Sequence, residues 1–459
     1  MLLPLGFSLY YGDDDVGPIL ISAGITLAAG LLMRLIFRFQ GELRLKDSFA
    51  TVSFGWIFAA FFGSLPFFLS GYIPSFTDAF FETMSGFTTT GATILANVEA
   101  LPHGLLFWRS LTHWLGGMGI IVLSLAILPL LGVGGMQLYK AEIPGPTPDK
   151  LTPRIRQTAA SLWGVYVLLS VIETGLLMAG GLNLFDGLCH TFGSMATGGF
   201  SSKTASIGHF DSVYIETVVI VFMVLAGTNF ALHFHCLKGR PSAYWKSEEF
   251  RFYLGIILFF TALMTVSNSL AFFPKVLESF RYSAFQVVSI TTTTGFTTFD
   301  FGQWPTAGRI ILLVLMFVGG SAGSTGGSIK ILRIMILIKQ GRAELKKLIH
   351  PRAVIPVRVD GQPVQPAVVI NILGFIFLYI IIFVAASIAM SLLGLDFDSA
   401  FSSVAATLGN VGPGLGVVGP AAHYFHVPIL GKWLLAFCML AGRLEIYTVL
   451  VLFTRGFWR

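Results

Sequence analysis

The segment SITTTTGFTT at residues 289–298 decides how the rest of this chain is interpreted. It is rich in hydroxyl groups, contains one glycine and no charge, and is flanked on both sides by long apolar stretches. Non-helical backbone of this kind is costly at membrane depth unless it lines a polar cavity. The segment therefore predicts a loop that faces a polar pathway inside a membrane.

The composition places the whole chain in a membrane. Of the 459 residues, 54% are hydrophobic and 11% are charged, whereas about 25% are charged in an ordinary soluble domain. Apolar runs long enough to cross a bilayer as helices lie near 17–38, 48–71, 106–131, 157–180, 213–235, 251–273, 306–338, 367–393 and 428–453. We expect an all-α polytopic membrane protein.

Basic residues are concentrated in alternate loops. The loops near 34–46, 140–156, 238–251 and 339–358, together with the C-terminus, hold 20 of the 29 Lys and Arg residues. Examples are Arg38, Arg44, Lys46, Lys140, Lys150, Arg154, Arg156, Lys346, Lys347 and Arg352. The positive-inside rule predicts that these loops and the C-terminus are cytoplasmic. The net charge of +6 therefore does not indicate nucleic-acid binding.

Four polar inserts resemble one another. They are DAFFETMSGFTTTGAT (78–93), DGLCHTFGSMATGGFS (186–201), YSAFQVVSITTTTGFT (282–297) and DSAFSSVAATLGNVGP (398–413). We align them on Gly91, Gly198, Gly295 and Gly412, with Gly409 as a competing choice in the fourth. Each begins with an expected helix N-cap, which is Asp78, Asp186, Ser283 or Asp398. The lead-in is too short to cross a bilayer, which is typical of a re-entrant pore helix followed by a loop.

Each insert lies between two spans, so all four copies share one orientation. We therefore expect parallel span–pore-helix–span repeats in a pseudo-fourfold arrangement around one ion pathway. The expected divisions are 1–47 for an N-terminal extra span and cytoplasmic loop, 48–140 for repeat 1, 141–240 for repeat 2, 241–350 for repeat 3 and 351–459 for repeat 4.

Glycine and threonine suit such a pathway. Inward-facing carbonyl oxygens replace the hydration shell of a cation, glycine permits the required dihedral angles, and hydroxyl groups add oxygen ligands without charge. The residues expected to surround the ion are Thr89, Thr90, Gly91, Ala196, Thr197, Gly198, Thr293, Thr294, Gly295, Asn410, Val411 and Gly412. A single such stretch is more often a helix break or a packing face, but four copies favour the pore.

The sequence VGGSAGSTGGSIK at 318–330 interrupts the span after the third insert. A phosphate-binding loop requires Lys directly after Gly, and the order here is Gly-Ser-Ile-Lys; a simple helix kink is the other alternative. We favour a flexible gate that includes Gly319, Gly320, Gly323, Gly326, Gly327 and Lys330. Arg443, within the last span, either pairs with Glu445 or helix carbonyls or acts as an electrostatic barrier in the gate.

Two further positions carry expectations. His113 and Trp114 are expected at the outer membrane interface, where Trp is common. Glu82, in the first pore helix, either braces the filter by hydrogen bonds or adds negative potential.

The chain resembles the Trk/Ktr/HKT superfamily of cation transporters, most of all the TrkH-type membrane subunits. The resemblance lies in the ordered set GFTTTGAT (86–93), HWLGGMGI (113–120), SMATGGFS (194–201), TTTTGFTT (291–298), GGSAGSTGGSIK (319–330), NVGPGLG (410–416) and AGRLEIYTVL (441–450). It implies potassium uptake across the bacterial cytoplasmic membrane, no enzymatic activity and no cofactor. It also implies a homodimer, a cytoplasmic TrkA-like nucleotide-binding subunit, and a gate formed by the Gly-rich loop and Arg443.

The resemblance also bears on selectivity. Serine at the position of Gly91 is associated with sodium preference in the superfamily, so glycine there favours potassium over a sodium-permeable or sodium-coupled alternative. The fourth insert lacks threonine at Asn410-Val411-Gly412, so its site is expected to be less symmetric. The superfamily usually has two spans before the first repeat, whereas this chain has one and a short apolar stump. An intramembrane enzyme and an organic-solute transporter are the rival classes, and no cluster of acids, bases or metal ligands in the spans supports the first.

Overall fold

Helices make up nearly all of the regular structure in residues 1–37, 45–127 and 151–458, which the computed structural model describes. They are α1 (Pro4–Tyr11), α2 (Val16–Ile36), α3 (Leu45–Leu69), α4 (Phe76–Phe87), α5 (His103–Ile127), α6 (Leu151–Ala179), α7 (Leu184–Met195), α8 (Val213–Ala226), α9 (Phe230–Leu237), α10 (Ser242–Lys246), α11 (Glu248–Ala271), α12 (Val276–Thr291), α13 (Thr306–Leu315), α14 (Ile331–Ile349), α15 (Pro366–Leu392), α16 (Phe397–Leu408), α17 (Ile429–Arg443) and α18 (Tyr447–Leu450). A small antiparallel hairpin, β1 (Arg358–Val359) with β2 (Gln362–Pro363), joins α14 to α15. The all-α prediction is confirmed.

Within the described ranges, five helices are long and apolar enough to cross a membrane as single pieces. They contain Val16–Ile36, Lys46–Leu69, Gln157–Ala179, Glu248–Ala271 and Pro366–Leu392. Each coincides with a predicted span. The polytopic membrane fold therefore follows from hydropathy alone.

Three predicted spans are wrong as continuous helices. The span at 213–235 is broken between α8 and α9, which are bent by 101°, and the span at 428–453 is broken between α17 and α18, which are bent by 115°. The span at 306–338 ends at Leu315 and resumes as α14 only at Ile331. Polar residues at the breaks satisfy the freed backbone, as where the Asn229 side chain accepts a 2.9 Å hydrogen bond from the Ala231 amide.

Some of the basic residues used for orientation lie outside the described residues. These are Arg38, Arg44, Lys140 and Lys150. The expected boundary between repeats 1 and 2, at residues 140 and 141, also lies outside the described residues. Lys346 and Lys347 lie in the last turn of α14. The sidedness of the loops stays a prediction.

The four insert helices are α4, α7, α12 and α16, but their N-caps differ from those predicted. The capping residues are Ser75, Asn183 and Asp396, whose side chains accept hydrogen bonds from amides three residues further on, and Lys275, which makes no side-chain cap. The predicted caps Asp78, Asp186, Ser283 and Asp398 are wrong. Asp78, Asp186 and Asp398 lie in the first helical turn, where an acidic side chain is as favourable as at an N-cap, so composition alone does not separate the two positions. Ser283 lies in the interior of α12, which begins earlier than the alignment suggested.

The insert helices pack in a closed order. Helix α7 contacts α5, α12 contacts α8, and α4 contacts α17, so each meets the segment that follows the preceding insert. An ion pair of 3.8 Å between Arg309 and Asp398 links α13 to α16 and completes the series. This packing brings the four loops that follow the insert helices to one place.

Candidate functional site

The backbone after each insert helix repeats one unusual conformation. The first left-handed residues are Thr89, Thr197, Thr293 and Asn410, with φ of 49°, 53°, 60° and 54°. Two positions later come Gly91, Gly199, Gly295 and Gly412, with φ of 82°, 77°, 81° and 102°. Left-handed dihedrals disfavour most side chains and favour glycine. The four loops therefore share one backbone conformation, which can be aligned residue by residue.

This equivalence corrects the alignment of the second insert, where the left-handed glycine is Gly199 and not Gly198. Hydrogen bonds give the same register, because the amides of Thr90, Gly198, Thr294 and Val411 each donate to the carbonyl five residues earlier, at 2.8–2.9 Å. Ala196 thus corresponds to Thr88 and not to Thr89. Two adjacent glycines made both alignments compatible with the sequence.

In the fourth insert, the structure selects Gly412. Gly409 ends helix α16 with a right-handed φ of −79°, which other residues adopt readily. Gly412 has the left-handed conformation shared with the other three loops.

The four loops close into a ring. A Cβ atom added to Gly91 would overlap the carbonyl oxygen of Gly198, and one added to Gly199 would overlap that of Thr294. The series continues from Gly295 to Val411 and returns from Gly412 to Thr90. The glycines Gly91, Gly199, Gly295 and Gly412 all line one cavity that is open to solvent. The sequence predicted where four such loops lie in the chain, but only the structure shows that they line a common opening.

Carbonyl oxygens of this ring lack protein partners. Within the described ranges, the carbonyls of 89–91, 197–199, 293–295, 410 and 411 accept no hydrogen bond. Most of these residues are buried, and buried carbonyls are almost always paired with protein or water. The ring is therefore a set of uncharged oxygen acceptors available to a ligand.

Most threonine hydroxyls of the ring are used by the protein itself. The Oγ1 atoms of Thr88 and Thr90 lie 2.8 Å apart, as do those of Thr292 and Thr294. Thr90 Oγ1 also accepts a 3.0 Å hydrogen bond from Asn410 Nδ2. These side-chain hydrogen bonds restrain the loops, a role that the sequence did not indicate.

The side chains of the first left-handed residues, which directly precede those positions, make different contacts. Thr293 Oγ1 accepts a 2.7 Å hydrogen bond from the Gly327 amide, and Thr197 Oγ1 donates to the Ala196 carbonyl at 2.6 Å. Thr89 Oγ1 and Asn410 Oδ1 are buried without a partner among the described residues. The oxygen ligands that side chains offer are thus fewer than composition suggests.

Glu82 braces the ring. It accepts hydrogen bonds from Arg109 Nε at 2.6 Å, Thr93 Oγ1 at 2.9 Å and the Ile94 amide at 2.9 Å. Arg109 Nη1 in turn donates to the Ser201 carbonyl at 3.0 Å, so the pair ties the first loop to the second. Both side chains are buried. Of the two roles considered for Glu82, the hydrogen-bonding one is observed, and Arg109 balances its charge.

His113 is not at the outer interface, and that prediction is wrong. Its side chain is fully buried, with Nδ1 2.7 Å from the Gly86 carbonyl and the ring stacked on Phe200 at 4.0 Å. A Cβ atom on Gly198 would overlap the imidazole. His113 therefore packs directly behind the second loop. No local pattern distinguishes such a histidine from one in an interfacial belt, because its contacts come from the first and second inserts, which are distant in sequence.

The segment 318–330 lies against the ring on the side opposite the open cavity. Its ends are joined by hydrogen bonds from the Gly319 amide to Ile329 O at 2.9 Å and from the Ile331 amide to Gly320 O at 3.1 Å. Near its middle, a Cβ atom on Gly327 would overlap the Gly409 carbonyl. The loop thus contains all of the predicted gate glycines and contacts the ring directly.

Two cations hold this loop. Arg443 Nη1 donates to the Thr325 carbonyl at 2.6 Å, and Nη2 approaches the Gly116 carbonyl at 3.4 Å. Lys330 Nζ donates to carbonyls within the loop, those of Ser324 at 3.4 Å and Gly326. Both side chains are buried.

Arg443 does not pair with Glu445, which was one of the interpretations considered. Glu445 forms an ion pair with Arg333 instead. The guanidinium of Arg443 is satisfied only by backbone carbonyls among the described residues, and its Nε has no partner there. Arg443 therefore meets the loop through backbone carbonyls, without a carboxylate hydrogen-bonded to it among the described residues.

The match to known proteins extends over the whole chain. The TrkH family model, described as cation transport protein, matches residues 19–457. The Trk system potassium uptake protein TrkH of Salmonella typhimurium is 44% identical over 467 residues, covering 100% of this chain and 96% of that protein. The Trk system potassium uptake protein TrkG of Escherichia coli K12 is 36% identical over 466 residues, with 100% and 95% covered. The crystal structure of the potassium transporter TrkH from Vibrio parahaemolyticus matches with a TM-score of 0.91 at 40% identity, covering 100% of this chain and 96% of that one.

Proposed function

Since this chain belongs to the TrkH family of cation transport proteins, we propose that it takes up potassium across a bacterial cytoplasmic membrane. The observation that carries the proposal is the closed ring of four loops whose buried carbonyl oxygens have no protein partner. The names of the relatives, which are potassium uptake proteins, support the choice of ion. The protein acts as a transporter and not as an enzyme.

The ring is the selectivity filter. Its ligands are the carbonyl oxygens of Thr89–Gly91, Thr197–Gly199, Thr293–Gly295 and Asn410–Val411, with Thr89 Oγ1 as a free hydroxyl at the innermost level. Carbonyl dipoles replace the hydration shell of a potassium ion without a fixed charge that would hold it too tightly. The C-terminal ends of four insert helices meet at the ring, and their dipoles favour a cation.

The segment 318–330 and Arg443 form the gate. The loop covers the inner side of the filter, and the guanidinium of Arg443 lies beside it, where its positive charge raises the energy of a passing cation. Opening requires the loop to move away from Thr293 and Arg443 to release the Thr325 carbonyl.

We further propose that the chain divides into the four repeats expected from the sequence, around a pathway on a pseudo-fourfold axis, with the C-terminus in the cytoplasm. The naming of the relatives as parts of a Trk system supports a multi-component assembly. We place a homodimer of this chain on a cytoplasmic TrkA-like nucleotide-binding subunit, with the basic cytoplasmic loops available to that partner.

Potassium is favoured over sodium by the absence of a side chain at positions 91, 199, 295 and 412 of the ring. The second left-handed residue of each loop, at positions 91, 199, 295 and 412, is glycine, so no side chain there disturbs carbonyl ligation. The sodium-permeable or sodium-coupled alternative would require a narrower or less regular ring.

Potassium uptake in a bacterial host lacking its own uptake systems tests the proposal. The chain is expressed with and without a TrkA-like partner, and uptake is followed with rubidium as a tracer against excess sodium. We expect growth at low potassium and rubidium uptake that sodium does not inhibit. Sodium uptake at a comparable rate would favour the alternative, and no cation uptake with the partner present would overturn the proposal.

A further inference from the structure

The four glycine carbonyls at the outer edge of the ring are not equivalent. The hydroxyl of Tyr424 donates a 2.8 Å hydrogen bond to the carbonyl oxygen of Gly412. Within residues 1–37, 45–127 and 151–458, the carbonyls of Gly91, Gly199 and Gly295 accept no hydrogen bond. One quarter of the outer ring therefore carries a donor that the other three lack.

Tyr424 is held in this position by the first repeat. Its amide donates to the Thr93 carbonyl at 2.8 Å, and its ring packs against Phe81 with centroids 5.5 Å apart. The side chain is 2% exposed, so the hydroxyl has little freedom to turn away. Tyr424 thus connects the segment after the first loop to the carbonyl of the fourth.

The backbone at Gly412 differs in the same place. Its φ is 102°, whereas Gly91, Gly199 and Gly295 lie between 77° and 82°. The different φ and the hydrogen bond both occur at residue 412, and both distinguish the fourth loop at the mouth of the cavity that Tyr424 and Gly412 line together.

We propose that Tyr424 is a positioning residue that weakens the outermost cation site by occupying the Gly412 carbonyl. The inference rests on the proposed function of the ring. An oxygen that already accepts a hydrogen bond offers less negative potential to a cation, so the outer site has three free carbonyl ligands and one shared. A weaker outer site lets the ion leave toward the next layer, which favours throughput over tight binding.

Tyr424→Phe tests this because it removes only the hydroxyl oxygen. The freed carbonyl can join the ring, and loss of one neutral hydrogen bond corresponds to about a fivefold change in an equilibrium constant. We expect the half-saturating concentration for potassium uptake to fall about fivefold while the maximal rate also falls. The half-saturating concentration does not depend on how much protein reaches the membrane, so partial loss of folding does not mask the effect.

Tyr214→Phe is the matched control. Its hydroxyl donates to the Leu176 carbonyl at 3.2 Å in an exposed position, so the substitution removes the same kind of hydrogen bond elsewhere. We expect no change in half-saturation. An unchanged or raised half-saturating concentration in Tyr424→Phe would overturn the inference.

A second measurement does not require transport. Potassium that binds the folded protein protects it from unfolding, so the concentration giving half-maximal protection of the purified protein reports the site directly. We expect that concentration to fall in Tyr424→Phe and not in Tyr214→Phe. Absence of uptake by the unsubstituted chain would count against the proposed function, whereas equal protection curves would count against the role of Tyr424.

Discussion

Arg443 Nη1 lies 2.6 Å from the carbonyl oxygen of Thr325, in the middle of the loop that covers the ring. The same guanidinium reaches Gly116 of α5, so one side chain connects the last repeat, the loop and the first repeat. A charged donor to a backbone carbonyl contributes about 1.5–3 kcal/mol. In the proposed gate, this contact makes Arg443 a latch that holds the loop closed.

Arg443→Ala is expected to raise cation flux. It removes the donor to Thr325 and the adjacent positive charge, and a lost charged hydrogen bond of this strength corresponds to roughly a tenfold change. Rubidium uptake into proteoliposomes at equal protein content measures it. Arg455→Ala, which removes an exposed arginine near the C-terminus, serves as the control and should leave flux unchanged. Equal flux in the two variants would exclude the latch.

Gly91→Ser is expected to reduce discrimination between potassium and sodium by roughly tenfold, which corresponds to about 1.4 kcal/mol. A side chain at Gly91 would overlap the Gly198 carbonyl and displace one quarter of the ring. The ratio of rubidium to sodium uptake measures the change. Gly55→Ser is the control, because a Cβ atom at Gly55 meets nothing within 4 Å. An unaltered ratio in Gly91→Ser would argue against a filter at this ring.

Glu82→Gln is expected to lower the free energy of unfolding by about 3–5 kcal/mol, because it leaves the buried Arg109 guanidinium without its counter-charge. The thermal midpoint of the purified protein in detergent measures this. Glu344→Gln removes an acid from an exposed pair with Lys347 and should change stability by less than about 1 kcal/mol. Similar midpoints for both variants would show that the buried pair does not brace the ring.

Topology is tested by labelling. Cys236 is first replaced by serine to remove a partly accessible thiol. Lys346→Cys should then react with a membrane-impermeant thiol reagent only after the cells are permeabilised, whereas Lys275→Cys should react in intact cells. Both positions are exposed, while Cys189 and Cys438 are buried and should stay unlabelled. Labelling of Lys346→Cys in intact cells would reverse the orientation that the basic loops predict.

The sequence determined the class of protein and the existence of the four loops. Hydropathy is a property of each residue, so the apolar runs located every unbroken span without knowledge of the packing. The preference of glycine for left-handed backbone is equally local, and it marked Gly91, Gly295 and Gly412 correctly. The ordered motifs identified the family for the same reason.

Tertiary structure decided what those residues do. The pairing of Glu82 with Arg109, the burial of His113 and the attachment of Arg443 to Thr325 all depend on partners distant in the chain. A carbonyl or guanidinium interacts with whatever packing places within about 3 Å of it. Because composition does not encode those distances, only the folded arrangement of the four repeats assigned each group its partner.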